Sequence, residues 1–212
     1  MARTIDEVAS RLSATRAELS TASYSTRAAV ALVLRERRGD LEALFIRRAE
    51  HEGDPWSGHL AFPGGRIDPT DTGPRMAAER ETFEELELDL SGARLLGQLS
   101  DVPGHAESIC VSAFVYALGP ALEADSGGDD PVLKPNHEIR EAFWSPLPHL
   151  TDPERQAVKT FTYLEHAMAL PTVRLLDDPR APVLWGITYK FMDEFMSRIG
   201  RPIPFMPWAD AD

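Results

Sequence analysis

Arg80, Glu81, Glu84 and Glu85 stand together in "RETFEEL", fifteen residues and more beyond the turn Pro63-Gly64-Gly65. Residues three and four apart share one face of an α-helix, so a helix here gathers three carboxylates into a patch. Like charges at that spacing repel, at roughly 0.2–0.5 kcal/mol per pair, and Arg80, four before Glu84, relieves only part of this. A face of glutamates is commonly just a solvated surface. Two consecutive glycines upstream change the reading, because they let a backbone carbonyl approach an ion or phosphate without side-chain obstruction. Oxygen-only ligands suit a hard cation such as Mg²⁺, held by one or two carboxylates together with substrate phosphates. A positive partner is therefore expected from outside the chain.

The elements around this patch must hold it in place. The acidic helix is expected to start near Pro74, a residue tolerated in a first helical turn. Met76, Phe83, Leu86 and Leu90 are expected to dock its other side on a core. "AAVALVL" (Ala28–Leu34) and "LEALFI" (Leu41–Ile46) read as strands joined through a turn at Gly39-Asp40. "HLAF" reads as a short strand entering the Pro-Gly-Gly turn, and "ARLLGQLS", "ICVSAFVYAL" and "EIREAFW" as three more. Residues 5–20 read as an amphipathic helix, and Ile187, Phe191, Met192, Phe195 and Ile199 as the core stripe of a helix stopped by Gly200 and Pro202. "GPALEADSGGDDPVLKPN" is expected to be a surface excursion. The fold class is α+β, with mixed sheets and terminal helices. One domain is expected over 1–212, with a helical extension at 1–24 and a Pro-rich, acidic tail at 201–212.

Composition excludes several functions. The formal net charge of −12 argues against a nucleic-acid binder, which needs a basic footprint. It leaves small phosphorylated substrates open, because a bound cation inverts the local field. No apolar run approaches the length of a membrane span, and the N-terminus lacks the apolar stretch of a signal peptide. A cytoplasmic protein is expected. The single cysteine, Cys110, lies in an apolar run and reads as a buried strand residue, without a disulfide or thiolate metal site. The six histidines show no metal-ligand spacing, and His59 and His105 read as structural. There is no G-x-x-x-x-G-K-[ST] loop or G-x-G-x-x-G fingerprint.

The stretch from Gly65 resembles the Nudix box, G-x5-E-x7-R-E-U-x-E-E-x-G-U with U apolar, at Arg80, Glu81, Glu84 and Glu85. One extra residue separates Gly65 from Arg80, Asp71 stands where the first Glu is usual, Thr82 takes an apolar position, and Glu87 replaces the late glycine. The longer spacing with an Asp resembles the coenzyme A pyrophosphatase branch. That branch carries an upstream motif, L-L-T-x-R-[SA]-x3-R-x3-G-x3-F-P-G-G. Here Arg48-Ala49, Gly58 and Phe62 to Gly65 match it, Gly53 falls near its second arginine, and "LWGIT" (Leu184–Thr188) resembles the start of the branch's C-terminal helix.

The resemblance implies the Nudix fold, mixed sheets sandwiched between helices (α/β/α), and a hydrolase acting on a nucleoside diphosphate linked to another group. Glu81, Glu84 and Glu85, with the carbonyl of Gly65 or Gly64, would hold Mg²⁺ or Mn²⁺. Arg80 would orient a glutamate. The general base would be Glu81, or Glu138 or Glu141. Arg47, Arg48, Gly58, Phe62 and Gly64 would contact substrate. Coenzyme A or an acyl derivative is the leading substrate, with nucleotide sugars, ADP-ribose and dinucleotides as alternatives. A non-catalytic nucleotide sensor is the competing class, and its usual loss of the carboxylates is not seen here. Dimers are common in that superfamily, so a homodimer is an expectation.

Overall fold

Apolar alternation from Ala28 onward builds the central strand. A computed structural model describes residues 1–52, 56–104, 109–119, 131–163 and 166–204. Strand β1 (Thr26–Arg37) is followed by β2 (Asp40–Arg48) through a two-residue turn, with Arg37 opposite Asp40. Arg38 (φ 53) and Gly39 (φ 78) are the turn residues, not Gly39-Asp40 as the sequence suggests. A tight hairpin needs positive φ at both central positions, and this leaves Asp40 free to begin β2.

At their far ends β1 and β2 part. The wedge takes β3 (Leu60–Ala61), paired to β2, and β4 (Gly64–Arg66), paired to β1. The Phe62-Pro63-Gly64 turn therefore lies in the fork. Helix α2 (Pro74–Leu86) follows, then β5 (Arg94–Gln98), β6 (Val102–Pro103) and β7 (Ile109–Ala117), which runs parallel to β1. Strand β8 (Ile139–Pro146) adds to the outer side of β2. A short helix α3 (Pro148–Thr151), a 3₁₀ turn (Pro153–Arg155), a separate hairpin of β9 (Gln156–Tyr163) and β10 (His166–Val173), and α4 (Gly186–Arg198) complete the chain after α1 (Ile5–Ser13).

Strand alternation divides the core in two. Ala29, Ala31 and Val33 join Leu44, Ile46, Phe114 and Tyr116 against Ala77, Ala78 and Leu86 of α2. Ala28, Leu32 and Leu34 join Phe45, Val111 and Val115 against Phe191, Met192 and Phe195 of α4, with Val8 and Leu12 of α1. The architecture is helix, mixed sheet, helix, as expected.

Two expectations about the helices need correction. Helix α1 ends at Ser13 rather than near residue 20, because Ala14 caps it through Arg11 and Leu12 carbonyls. Beyond it, Glu18 and Ser20 are bonded to Ser100 and Asp101 beside β6. Met76 and Phe83 do not dock α2, being 40 % and 54 % exposed. The buried face is instead Ala77, Ala78, Thr82, Glu85 and Leu86. Small alanines let the helix approach the sheet closely. Each polar member has a hydrogen-bond partner, the Thr82 hydroxyl donating to the Ala78 carbonyl (2.7 Å) and Glu85 accepting a backbone N–H. The Gly-, Pro- and Asp-rich excursion lies mostly outside the described residues, as does the tail beyond Pro204.

Candidate active site

The Pro-Gly-Gly turn and α2 are built against each other. Gly64 adopts φ 147, and a Cβ there would overlap the Ala29 carbonyl and Val30 of β1. Only glycine fits so close to the strand, and its N–H then donates to Glu85 Oε2 at 2.9 Å. At Gly65 a Cβ would overlap the Glu81 carboxylate itself. The two glycines therefore bring backbone directly against two glutamates of the acidic patch.

Arg80 organises the rest. Its Nε and Nη2 bond both oxygens of Asp71 at 3.1 and 3.0 Å, and Nη2 also reaches the Arg66 carbonyl. Nη1 donates to Glu81 and to Glu84, each at 3.0 Å. All five guanidinium donors are thus used. Asp71, whose side chain is fully covered, is the anchor, and the Arg80 guanidinium holds its carboxyl below the usual range. An Asp with the longer spacing does this from outside the helix.

The electrostatics differ along the patch. Burial pushes the Glu81 carboxyl up; Arg80 opposes this, while Glu84 and Glu138 add to it. Glu85 is 2 % exposed, and burial pushes it up to about 8, with the Gly64 N–H and Arg48 opposing and Glu81 and Glu138 adding. Glu84 is half exposed. Among the described residues, no three His, Cys, Asp or Glu side chains converge into a ready-made ion cage. The expected trio shares one turn of helix, with Glu81 and Glu84 both held by Arg80 Nη1 and Glu85 by the Gly64 N–H. The residues nonetheless fit a hard cation. All donors are oxygens, the glycine backbone lies against Glu81, and Glu85 is a buried carboxylate that lacks full countercharge.

Glu138 is placed by contacts that the sequence reading missed. The backbone N–H groups of Lys134 and Asn136 donate to the Leu86 and Glu85 carbonyls, each at 2.9 Å, and the Asn136 amide donates to the Glu84 carbonyl. These cap the end of α2. Asn136 Oδ1 then accepts the Glu138 N–H at 2.8 Å, and the Ala49 N–H donates to the Glu138 carbonyl at 2.7 Å. Glu138 is thereby fixed next to Ile139, the strand partner of Arg48, and its charge helps to raise Glu81 and Glu85. An Asx turn after a helix end was the available signal at Asn136.

The other expected residues separate. Alternation along β2 puts Arg48 on the face of Leu44 and Ile46, toward α2, and Arg47 on the face of Phe45, toward α4. Arg47 and Glu141 are brought together, at 3.8 Å, with Glu50 at 3.5 Å, away from the helix glutamates. Phe62 is 2 % exposed and packs on Phe45 with ring centroids 5.4 Å apart, so it supports the turn from inside the core and does not face substrate. Its place in the alternation of the fork dictates that burial. Gly58 takes φ 72 before His59, whose carbonyl accepts the Arg48 N–H. Gly53 and His105 lie outside the described residues. The "LWGIT" stretch does open a helix, α4.

Comparison with known proteins gives consistent matches. The NUDIX domain model matches residues 25–165. An uncharacterized protein of Schizosaccharomyces pombe, C14C4.10c, is 34% identical over 122 residues, 53% of this chain and 34% of its own length. The mitochondrial coenzyme A diphosphatase NUDT8 of Homo sapiens is 32% identical over 184 residues, 85% of this chain and 72% of that protein. The chain thus spans about a third of the first relative and nearly three quarters of the second. Among solved structures, a binary complex of a C. elegans Ap4A hydrolase aligns over 58% of this chain and 81% of that one, with 23% identity and a TM-score of 0.44.

Proposed function

Because the chain belongs to the Nudix family and is a Nudix hydrolase, we propose that it is a metal-dependent pyrophosphatase acting on coenzyme A or an acyl derivative. The products would be 3′,5′-ADP and a 4′-phosphopantetheine. The carrying observation is the arrangement of Glu81 and Glu85 against Gly65 and Gly64. The 32% identity to a human coenzyme A diphosphatase over most of both chains supports the substrate.

Bound Mg²⁺ or Mn²⁺ would offset the diphosphate charge and lower the pKa of the attacking water. Glu81, Glu84 and Glu85, with the Gly65 carbonyl, would hold it. Arg80 keeps Glu81 and Glu84 aligned while Asp71 fixes Arg80. Glu138, exposed and next to the strand partner of Arg48, is the acid best placed to take a proton from water, with Glu81 the other candidate. Arg48, rather than Arg47, is the cation on the α2 side and is assigned to substrate phosphate. Its proximity to Glu85 supports this. A single thiol buried in β7 accords with the reducing cytoplasm.

The test is hydrolysis with Mg²⁺ or Mn²⁺ over coenzyme A, NADH, ADP-ribose, nucleotide sugars, dinucleoside polyphosphates and nucleoside triphosphates. Coenzyme A should lead in kcat/KM. Arg48→Ala should raise KM for coenzyme A more than for 3′-dephospho-coenzyme A by roughly 10- to 100-fold, the worth of a desolvated charge-assisted bond. Equal use of both coenzymes by the wild type, with preference for another substrate, overturns the coenzyme A reading.

A further inference from the structure

Three aromatic rings from three separate segments meet at the rim where β2 ends. Phe161 of β9 and Trp185, the residue before α4, stack with centroids 3.8 Å apart and planes at 10°. His59 meets Trp185 edge-on, at 4.8 Å and 70°. None of the three is fully buried. Phe161 and Trp185 share one face, so their open area lies on the outer faces and edges.

Anchoring the β9–β10 hairpin does not account for this. The hairpin is already tied down by a two-bond bridge between Val173 and Leu184, at 3.0 and 2.8 Å. The Arg174 N–H also donates to the Arg155 carbonyl at 2.9 Å. Val173 and Leu184 are fully buried behind it. The ring stack adds a flat, partly open aromatic surface on top of an anchor that is complete without it.

The stack is also joined to the candidate active site. The His59 carbonyl accepts the Arg48 N–H at 3.1 Å, and Arg48 acts electrostatically on Glu85. Five residues onward from His59, Gly64 bonds Glu85, a chain distance of at most about 18 Å. A partly open π-surface whose edge residue, His59, is bonded to the backbone of Arg48 and lies within that chain distance of the Gly64 turn suits a flat ring carried on a phosphate. Every nucleobase has such a face, and the flexible pantetheine arm has none.

We infer that Trp185 and Phe161, buttressed by His59, form the stacking platform for the purine base of the nucleoside diphosphate, which makes Trp185 a specificity-determining residue. This rests on the function proposed above and adds which half of the substrate lies on the α4 side. The test is equilibrium binding to the full chain with Mg²⁺, using ADP and 4′-phosphopantetheine as separate probes. Trp185→Leu should weaken ADP binding roughly 5- to 100-fold, the range for a lost base–aromatic stack. Phosphopantetheine binding should stay unchanged, and Trp185→Phe should retain most of the ADP affinity. Should Trp185→Leu fold poorly, ADP-dependent quenching of tryptophan fluorescence in the wild type, minus that in Trp185→Phe, gives the same answer. Unchanged ADP affinity in Trp185→Leu, equal losses for both probes, or no difference in quenching overturns the platform. The proposed function fails differently: ADP would bind as expected while no coenzyme A is hydrolysed.

Discussion

Glu85 carries two opposed demands. It is almost wholly buried, and among the described residues its hydrogen bond comes from the Gly64 N–H, so in the metal-free chain its charge is poorly compensated. Glu85→Gln keeps the shape and can keep accepting that N–H. The fold should persist with unchanged or slightly higher Tm. Turnover should fall roughly 100-fold or more, the scale for removing one electrostatic group from a preorganised site. Paired measurement of Tm and kcat checks this, and equal activity in both proteins would mean that this helix face does no chemistry. Phe83→Ala is the contrasting variant. A core phenylalanine would cost about 3–5 kcal/mol, but Phe83 is more than half exposed, so the expected loss is within about 0.5 kcal/mol. The acidic residues of the site were legible because their spacing alone puts them on one face. The orientation of the helix was not, because its buried face consists of alanines, a back-bonded Thr82 and Glu85, none of which stands out as apolar. Asn136 was also missed, since its role depends on where β8 returns to the end of α2.

Elements end where local chemistry ends them, and two ends here are testable. Helix α2 stops at Glu87 with φ 53, its N–H donating to the Phe83 carbonyl. That left-handed conformation costs an ordinary residue roughly 1–2 kcal/mol and glycine nothing, and this is the box position usually held by glycine. The ion pair from Lys134 to Glu87, at 2.5 Å, joins two exposed groups and is worth at most about 1 kcal/mol. Glu87→Gly should therefore leave stability equal or raise it, read as Tm, with kcat retained; a marked loss would show the Lys134 contact to be the stronger term. At the opposite end, Arg201, 7 % exposed, pairs with Asp40 at the start of β2. Burial pushes the Asp40 carboxyl up, and Arg201 with the Leu41 N–H more than offsets it, so the net pKa is lowered. A lowered folded pKa gives stability that is present above the unfolded value and lost as pH falls through the folded one. Asp40→Asn should remove that acid-side slope. Urea unfolding at neutral pH and near pH 3, about one unit below the ordinary carboxylate range, should show the wild-type advantage shrinking. Strands β1, β2 and β7 and helix α4 were legible because each carries a long apolar period. The β9–β10 hairpin was overlooked because the β-formers Val158, Thr160 and Thr162 are exposed and Pro171 interrupts the apolar pattern of β10, whose described residues are buried only at 171–173. The helix expected over residues 5–20 stops short of Leu19, which is 56 % exposed beyond the cap.

The whole molecule sets a field that its own site must overcome. At a net charge of −12, the chain repels an anionic nucleotide at long range, while Arg48 and a bound divalent ion attract it only at short range. Screening separates the two scales, because the Debye length shrinks from about 30 Å at 0.01 M salt to about 8 Å at 0.15 M. Long-range repulsion should vanish over that interval, whereas contacts within the site, partly buried, should change little. At saturating Mg²⁺, kcat/KM for a nucleoside diphosphate substrate should therefore rise between those salt concentrations with kcat nearly constant. Excess chelator should abolish turnover at every salt concentration, since uncompensated Glu81, Glu84 and Glu85 add to the repulsion instead of opposing it. A stopped-flow or steady-state titration with NaCl at fixed free Mg²⁺ measures both effects. If kcat/KM falls steadily with salt, the local cations govern capture and the acidic surface lies too far from the approach path to matter.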